Sequence, residues 1–266
     1  MLASPSSALR TASSSRIRTS PADGRVQGRL FAGTSGFAYA GWVPRFYPAG
    51  LPAKGFLGHY AERLPAVELN NTYYASPKAD KVAAWVAATP PDFRVSVKAQ
   101  RGGSFRSLAV DPGESVAWLT GPYRAFGERL GTVLFRVPEN VRRDDAKLAG
   151  LLAAWPSDLS LTLEFQDPSW HVDETFAALA GVGAALCATE LPEDAEPPTL
   201  RRTGSFLYLR LRRNDYNDTE LAAWAARIEP FLSAGDDVYA FFRHDEVGRG
   251  AELALAFREA VARIGG

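Results

Sequence analysis

The sequence predicts a single (β/α)8 barrel of the TIM type, on three observations. From Leu30 onward, short β-branched or aromatic runs alternate with helical segments, and there are eight such runs. Within the runs, polar residues recur at every second position and gather toward the C-terminal ends. The chain has 266 residues, which suits one barrel, a fold of about 250 residues.

In chain order the predicted strands are Leu30–Gly33, Ala66–Asn70, Phe93–Ala99, Thr132–Val137, Leu159–Phe165, Gly183–Thr189, Phe206–Arg212 and Val238–Phe242. Between them lie helical periodicities at Lys78–Thr89, Val116–Leu130, Asp144–Trp155, Asp173–Ala180, Asp218–Ser233 and Gly250–Ile264. A strand–helix unit repeated in this way makes parallel strands, and eight of them close a barrel. An open doubly wound sheet is the main competitor. The first run is not followed by the glycine-rich phosphate loop that would favour it. Residues 29–266 are read as one domain. Residues 1–28 are rich in Ser, Thr, Ala and Arg, with no acid before Asp23 and no apolar block of a secretory signal. A disordered extension is expected there, with an organelle transit peptide or an over-long start as alternatives.

Alternation assigns faces to the strands, because successive side chains point to opposite sides. Val67 and Leu69 oppose Ala66, Glu68 and Asn70; Val95 and Val97 oppose Arg94, Ser96 and Lys98. Val133, Phe135 and Val137 oppose Thr132, Leu134 and Arg136, while Leu161, Leu163 and Phe165 oppose Thr162, Glu164 and Gln166. Leu207, Leu209 and Leu211 oppose Phe206, Tyr208, Arg210 and Arg212. The apolar set meets the helices. The polar set lines the interior and collects where barrel enzymes build their sites.

Formal net charge is zero, so no global field draws nucleic acid or an anionic membrane. The cations are 25 Arg against 5 Lys, a bias that fits GC-rich coding better than a chemical need. No apolar run approaches the roughly 18–20 residues that span a bilayer. The lone cysteine, Cys187, has no internal disulfide partner and lies in an apolar run, so a buried structural thiol is expected. That fits a reducing compartment, and a cytoplasmic location is expected. No dinucleotide or P-loop fingerprint occurs, so no organic cofactor is expected.

The predicted mouth holds two carboxylates, Glu68 and Glu164, and the cations Lys98, Arg136, Arg210 and Arg212. Two readings stand side by side. The charges form a self-satisfied network, since buried charge is costly unless paired, or the excess of cations awaits an anionic ligand. Glu68 and Glu164 sit on strands nearly opposite, with a ligand-sized gap expected between them. Such a pair serves as acid and base or shares a divalent metal. Of the histidines, His59 reads as a surface or packing residue. His171 and His244 fall on the mouth side, and His244, beside Asp245, is the better candidate. After the first strand, GTSGFAYAGWVPRFYPAGLP offers Ser35, Tyr39, Trp42 and Tyr47, either to stack on a ligand or as a packed aromatic cover. Asn71, Thr72 and Tyr74 follow the second strand.

Those same segments carry a family resemblance. GTSGFAYAGW…FYPAGLP, VELNNTYYASP, W…TPPDFRVSVKA and LEFQDPSW are similar to the signature blocks of the YecE-like family, domain of unknown function 72. The resemblance spans roughly Phe31 to the C-terminus and implies a β/α barrel; it implies no reaction. Glu68, Asn70, Thr72, Tyr74, Lys98, Glu164 and Trp170 match the pattern. Departures occur where the family has Ile-Thr-His after the lysine (here AQRGGSF) and glutamine in strand 4 (here Arg136). Further departures are Gln166 for an arginine, Arg212 and Arg213 for His-Gly, and Arg243 and His244 for Asn-Asn. The resemblance thus implies a divergent member with an altered ligand or a lost activity.

The first functional expectation is an enzyme, of hydrolase or isomerase type, acting on a small anionic, phosphorylated or sugar-like substrate. Glu68, Lys98 and Glu164 would be catalytic. Ser35, Tyr39, Asn70, Thr72, Tyr74, Arg136, Trp170, Arg210, Arg212 and His244 would bind substrate. The alternative is a non-catalytic module for nucleic-acid ends or phosphorylated metabolites, and a third is a barrel kept for protein contact. A divalent metal and the oligomeric state are left open.

Overall fold

A computed structural model of the chain describes residues 27–265, so the expected extension lies almost wholly outside the described residues. Eight parallel strands close a barrel in chain order: β1 Leu30–Ser35, β2 Ala66–Leu69, β3 Arg94–Lys98, β4 Leu130–Val137, β5 Leu161–Phe165, β6 Ala185–Glu190, β7 Phe206–Leu211 and β8 Asp237–Phe242. β1 pairs with both β2 and β8. The expected (β/α)8 fold is therefore the observed one.

The helices are α1 Phe56–Arg63, α2 Ala79–Ala87, α3 Arg101–Ser107, α4 Gly113–Thr120, α5 Asp145–Ala154, α6 Asp173–Val182, α7 Asp218–Ser233 and α8 Arg249–Ile264. Local chemistry sets several of their ends. Asn217 and Glu220 form a reciprocal capping box at the start of α7, and the Asp144 side chain accepts from the Lys147 amide at the start of α5. Gly183 ends α6 in the left-handed region at φ 71°, which is why the strand predicted from Gly183 begins two residues later.

Two expectations need correction. The helix predicted over Val116–Leu130 is α4 followed by 3-10 turns over Gly121–Arg129, because Pro122 breaks α-helical bonding and Gly127 turns at φ 53°. The helix is also missing between β6 and β7. Pro192, Pro197 and Pro198 interrupt that link, whereas β3 and β4 are joined by two helices.

The apolar strand faces fill the layer under the helices, as alternation requires: Val67, Val97, Phe135, Leu163 and Leu209 are all buried there. Each such side chain stabilises the fold by roughly 1.5–3 kcal/mol. A second cluster fills the barrel itself, from Phe31, Phe206 and Tyr239 up to Leu134, Cys187, Tyr208 and Phe241. Phe31 stacks on Tyr239 at 4.9 Å. This plug fills the lower interior, beneath the carboxylates and cations that gather at the strand C-termini. Cys187 is buried within it, and burial pushes its thiol well above the ordinary range. No helix among the described residues is long and apolar enough to cross a membrane.

Candidate functional site

Parallel pairing brings the polar strand ends together. Ser35 is in register with Glu68, Glu68 with Ser96, Arg136 with Glu164, and Thr189 with Arg210. Gly33 permits this at β1, since a Cβ there would lie 1.9 Å from the Ala66 carbonyl oxygen. Gly36, at φ 93°, then turns the chain in the left-handed region.

Arg210 is the centre of the cluster. Its Nε and Nη2 donate to Glu68 Oε2 and Oε1 at 3.1 and 2.9 Å, and its Nη1 donates to Glu164 Oε1 at 2.7 Å. Arg210 is 5% exposed, Glu68 0% and Glu164 3%, so all three charges are withdrawn from water. The gap expected between the two carboxylates is thus filled by one guanidinium. Glu68 also accepts from Ser35 Oγ at 2.7 Å and from Tyr208 OH at 2.7 Å, and Tyr208 OH is 2.6 Å from Ser96 Oγ. Glu164 Oε1 accepts from Thr189 Oγ1 at 2.9 Å. Its Oε2 is buried with no hydrogen-bond partner among the described residues; Arg136 Nε stands 3.5 Å away, near enough to attract but not aligned to bond.

Electrostatics follow from this geometry. Burial alone would raise the Glu68 pKa, but the Arg210 and Arg212 charges and the Ser35 hydrogen bond hold it down at about 2. Glu164 is also held below the usual carboxylate range, with burial opposing and Arg210, Arg136 and Lys98 prevailing. Both are therefore ionised at neutral pH. Lys98 moves the other way. Burial first, then the Arg210 charge, lower it to about 8 despite the two glutamates. Its Nζ lies 4.5 Å from the Tyr73 ring centroid and makes no ion pair or hydrogen bond among the described residues. Arg212, lowered to about 10 chiefly by burial and Arg210, donates to Ser35 Oγ at 2.8 Å.

The structure gathers Glu68, Lys98, Glu164, Arg136, Arg210, Arg212 and Ser35 at one place. Asn70 lies at the same end, half-buried, with its Oδ1 lacking a partner. Tyr39 and His244 form one edge: their rings stack at 5.1 Å, and Tyr39 OH donates to the Ser35 carbonyl at 3.1 Å. Burial and then Arg212 and Arg243 lower the His244 pKa, so its imidazole is neutral at neutral pH. Other expected ligand contacts are placed in the packing instead. Trp170 is fully buried, stacked on Phe165 at 4.6 Å, with its indole N–H on the Val141 carbonyl. Thr72 is buried and donates to the carbonyls of Leu69 and Lys98. Trp42 and Tyr47, also fully buried, make the loop after β1 a packed aromatic cover, and Trp42 Nε1 pins the loop after β8 through the Asp245 carbonyl. His59 packs against Phe46 and Tyr47. Tyr74 is 80% exposed and lines an adjoining cleft.

Sequence reasoning missed the supporting hydroxyls of Tyr208, Thr189 and Ser96. Tyr208 and Ser96 were legible as inward positions, two residues from Arg210 and Lys98; the partner each would meet was not. It also missed the cleft of about 890 Å³ beside the mouth, lined by Tyr73, Tyr74, Arg101, Phe105, Arg106 and Arg136 among others. Its helix, α3, begins Arg-Gly-Gly-Ser and shows no apolar period to mark it. Among the described residues no three His, Cys, Asp or Glu side chains are grouped to hold a metal ion. A cation shared by Glu68 and Glu164 would have to displace Arg210.

Comparison with known proteins gives the same architecture. The UPF0759 protein YunF of Bacillus subtilis is 22% identical over 243 residues, covering 77% of this chain and 86% of that protein. The crystal structure of a DUF72 family protein from Thermotoga maritima superposes with TM-score 0.73 at 25% identity, over 88% of this chain and 99% of that one. A DUF72 family protein from Enterococcus faecalis gives TM-score 0.71 at 20% identity, over 90% and 99%. The profile of the family described as "Protein of unknown function DUF72" matches residues 31–265. That span covers the whole barrel, so this chain belongs to the DUF72 family.

Proposed function

We propose that the mouth binds a small anionic ligand, carrying phosphate or carboxylate, with Lys98 as its principal contact. Arg136 stands on the β4 side and Arg212 on the β7 side. One observation carries the reading: four inward cations face two carboxylates, and the Lys98 ammonium has no carboxylate of its own. Pairing among the protein's charges satisfies Glu68 and Arg210, and leaves positive charge over. Arg136 and Arg212 supply planar forks suited to an oxyanion. The test is calorimetric titration with sulfate, whose charge is constant near neutral pH. Binding that weakens with salt and drops about tenfold or more in Lys98→Met supports the reading; equal affinity in the variant rejects it.

The lowered pKa of Lys98 favours a second step, catalysis on the bound ligand. A group titrating near 8 exchanges protons readily at working pH, whereas Glu68 at about 2 is too weak a base. Lys98 would move the proton, and the unpartnered Oε2 of Glu164 would orient the ammonium or the ligand. With a turned-over substrate in hand, Glu164→Gln should abolish turnover while circular dichroism stays native. Undiminished turnover would remove Glu164 from the mechanism.

A further inference from the structure

The cleft beside the mouth is built unlike the mouth itself. Its volume, about 890 Å³, is that of a small-molecule site. No carboxylate lines it, while Arg101, Arg106 and Arg136 do. Arg101 and Arg106 make no ion pair among the described residues, and Arg106 lies 4.8 Å from the Trp118 ring centroid. Two large aromatic rings stand at the rim in water, Phe105 at 78% exposure and Tyr74 at 80%. Exposed rings of this size, beside unpaired cations, offer a flat apolar face and a positive field together.

The cleft and the mouth adjoin at two residues. Arg136 belongs to both, with its Nε near Glu164 and its side chain on the cleft wall. Tyr73 lines the cleft, and Lys98 sits over its ring. A ligand with its anionic end between Lys98 and Arg136 would have the cleft as the space beyond Arg136. Building on the anion reading of the mouth, we infer that the ligand is a nucleoside monophosphate: phosphate at the Lys98–Arg136 junction, base against Phe105 and Tyr74. A plain sugar phosphate would leave the rim rings unused. A nucleic-acid polymer is disfavoured by the zero net charge of the chain, which provides no long-range attraction for a polyanion.

Calorimetry with adenosine monophosphate, ribose 5-phosphate and sulfate tests this. The base should make the nucleotide bind about tenfold tighter than ribose 5-phosphate, the size of one stacking contact. In the double variant Phe105→Ala, Tyr74→Ala the ratio should fall close to one, as the nucleotide drops to the level of the sugar phosphate. Both side chains are exposed, so native circular dichroism is expected. Equal binding of nucleotide and sugar phosphate by the unaltered protein overturns the base subsite while leaving the mouth reading intact. So does a ratio that survives in the double variant. Failure of all three probes, sulfate included, overturns the mouth reading and the inference together. A short oligodeoxyadenylate that binds more than roughly tenfold tighter than the mononucleotide, with a steep salt dependence, overturns it in favour of a polymer.

Discussion

Glu68 and Glu164 reach the same guanidinium from two walls of the barrel, yet they are differently employed. Both oxygens of Glu68 are taken, by Arg210, Ser35 and Tyr208. Glu164 spends only Oε1, on Arg210 and Thr189, and keeps Oε2 unbonded beside Arg136. A saturated buried carboxylate is a fixture of the fold. One with a free oxygen, in the field of the Lys98 ammonium, still has a lone pair to offer a ligand. The surroundings repeat the contrast: the β1–β8 side is sealed by Trp42, Tyr47 and the Tyr39–His244 stack, whereas the β3–β4 side opens into the cleft.

The sharpest way to break this picture is at the shared partner. Arg210→Met strands two buried carboxylates and should cost on the order of 3–5 kcal/mol in urea denaturation at neutral pH. Stability close to the parent would mean that the network carries little. Next comes the asymmetry itself. Glu68→Gln should cost about 3 kcal/mol and Glu164→Gln clearly less, because fewer bonds depend on it. Equal losses would erase the distinction between them. Acid gives an independent measure of the same contrast. The pKa of Glu68 is depressed on folding, so its stabilisation is present above the unfolded value near 4.5 and is lost as pH falls toward about 2. The parent should lose stability more steeply than Glu68→Gln across that window.

A smaller effect probes the open side. Lys98 must be protonated to hold an anion, so sulfate affinity should fall by up to about tenfold per pH unit as pH rises above about 8. In Lys98→Met the profile should be flat over that range; a slope that survives would assign the titration to another group. The smallest expected change is Tyr208→Phe. It removes one of several donors to Glu68 and should cost about 1 kcal/mol with anion affinity unaltered. A large loss of affinity would show that the buried side of the cluster reaches the ligand.

Much of the barrel was legible in the sequence because period-two alternation marks strands that are apolar on one face and polar on the other. Glu68, Lys98, Arg136, Glu164, Arg210 and Arg212 were all placed inward by parity alone. Parity does not tell which inward side chains meet. That depends on strand stagger around the closed ring, so Arg210 filling the space between the glutamates was visible only in three dimensions. Thr72 and Trp170 illustrate the opposite limit. They fall next to strand ends, where sequence suggests a ligand, but a short 3-10 turn buries each of them. The absent helix between β6 and β7 was signalled by its prolines. The cleft was not signalled, since α3 has two glycines and no apolar stripe.

The reach of Arg210 bears on how divisible this barrel is. Glu68 lies on β2, while Glu164 and Arg210 lie on β5 and β7. A chain divided between β4 and β5 would leave Glu164 with its arginine in one piece and Glu68 without a cation from β7 in the other. The Glu68–Arg210 pairing therefore belongs to the closed ring and to neither half. Any history or engineering that exchanged half-barrels between relatives had to carry a matching acid and base on both sides of the cut, so the inner polar ring acts as a compatibility code between the halves.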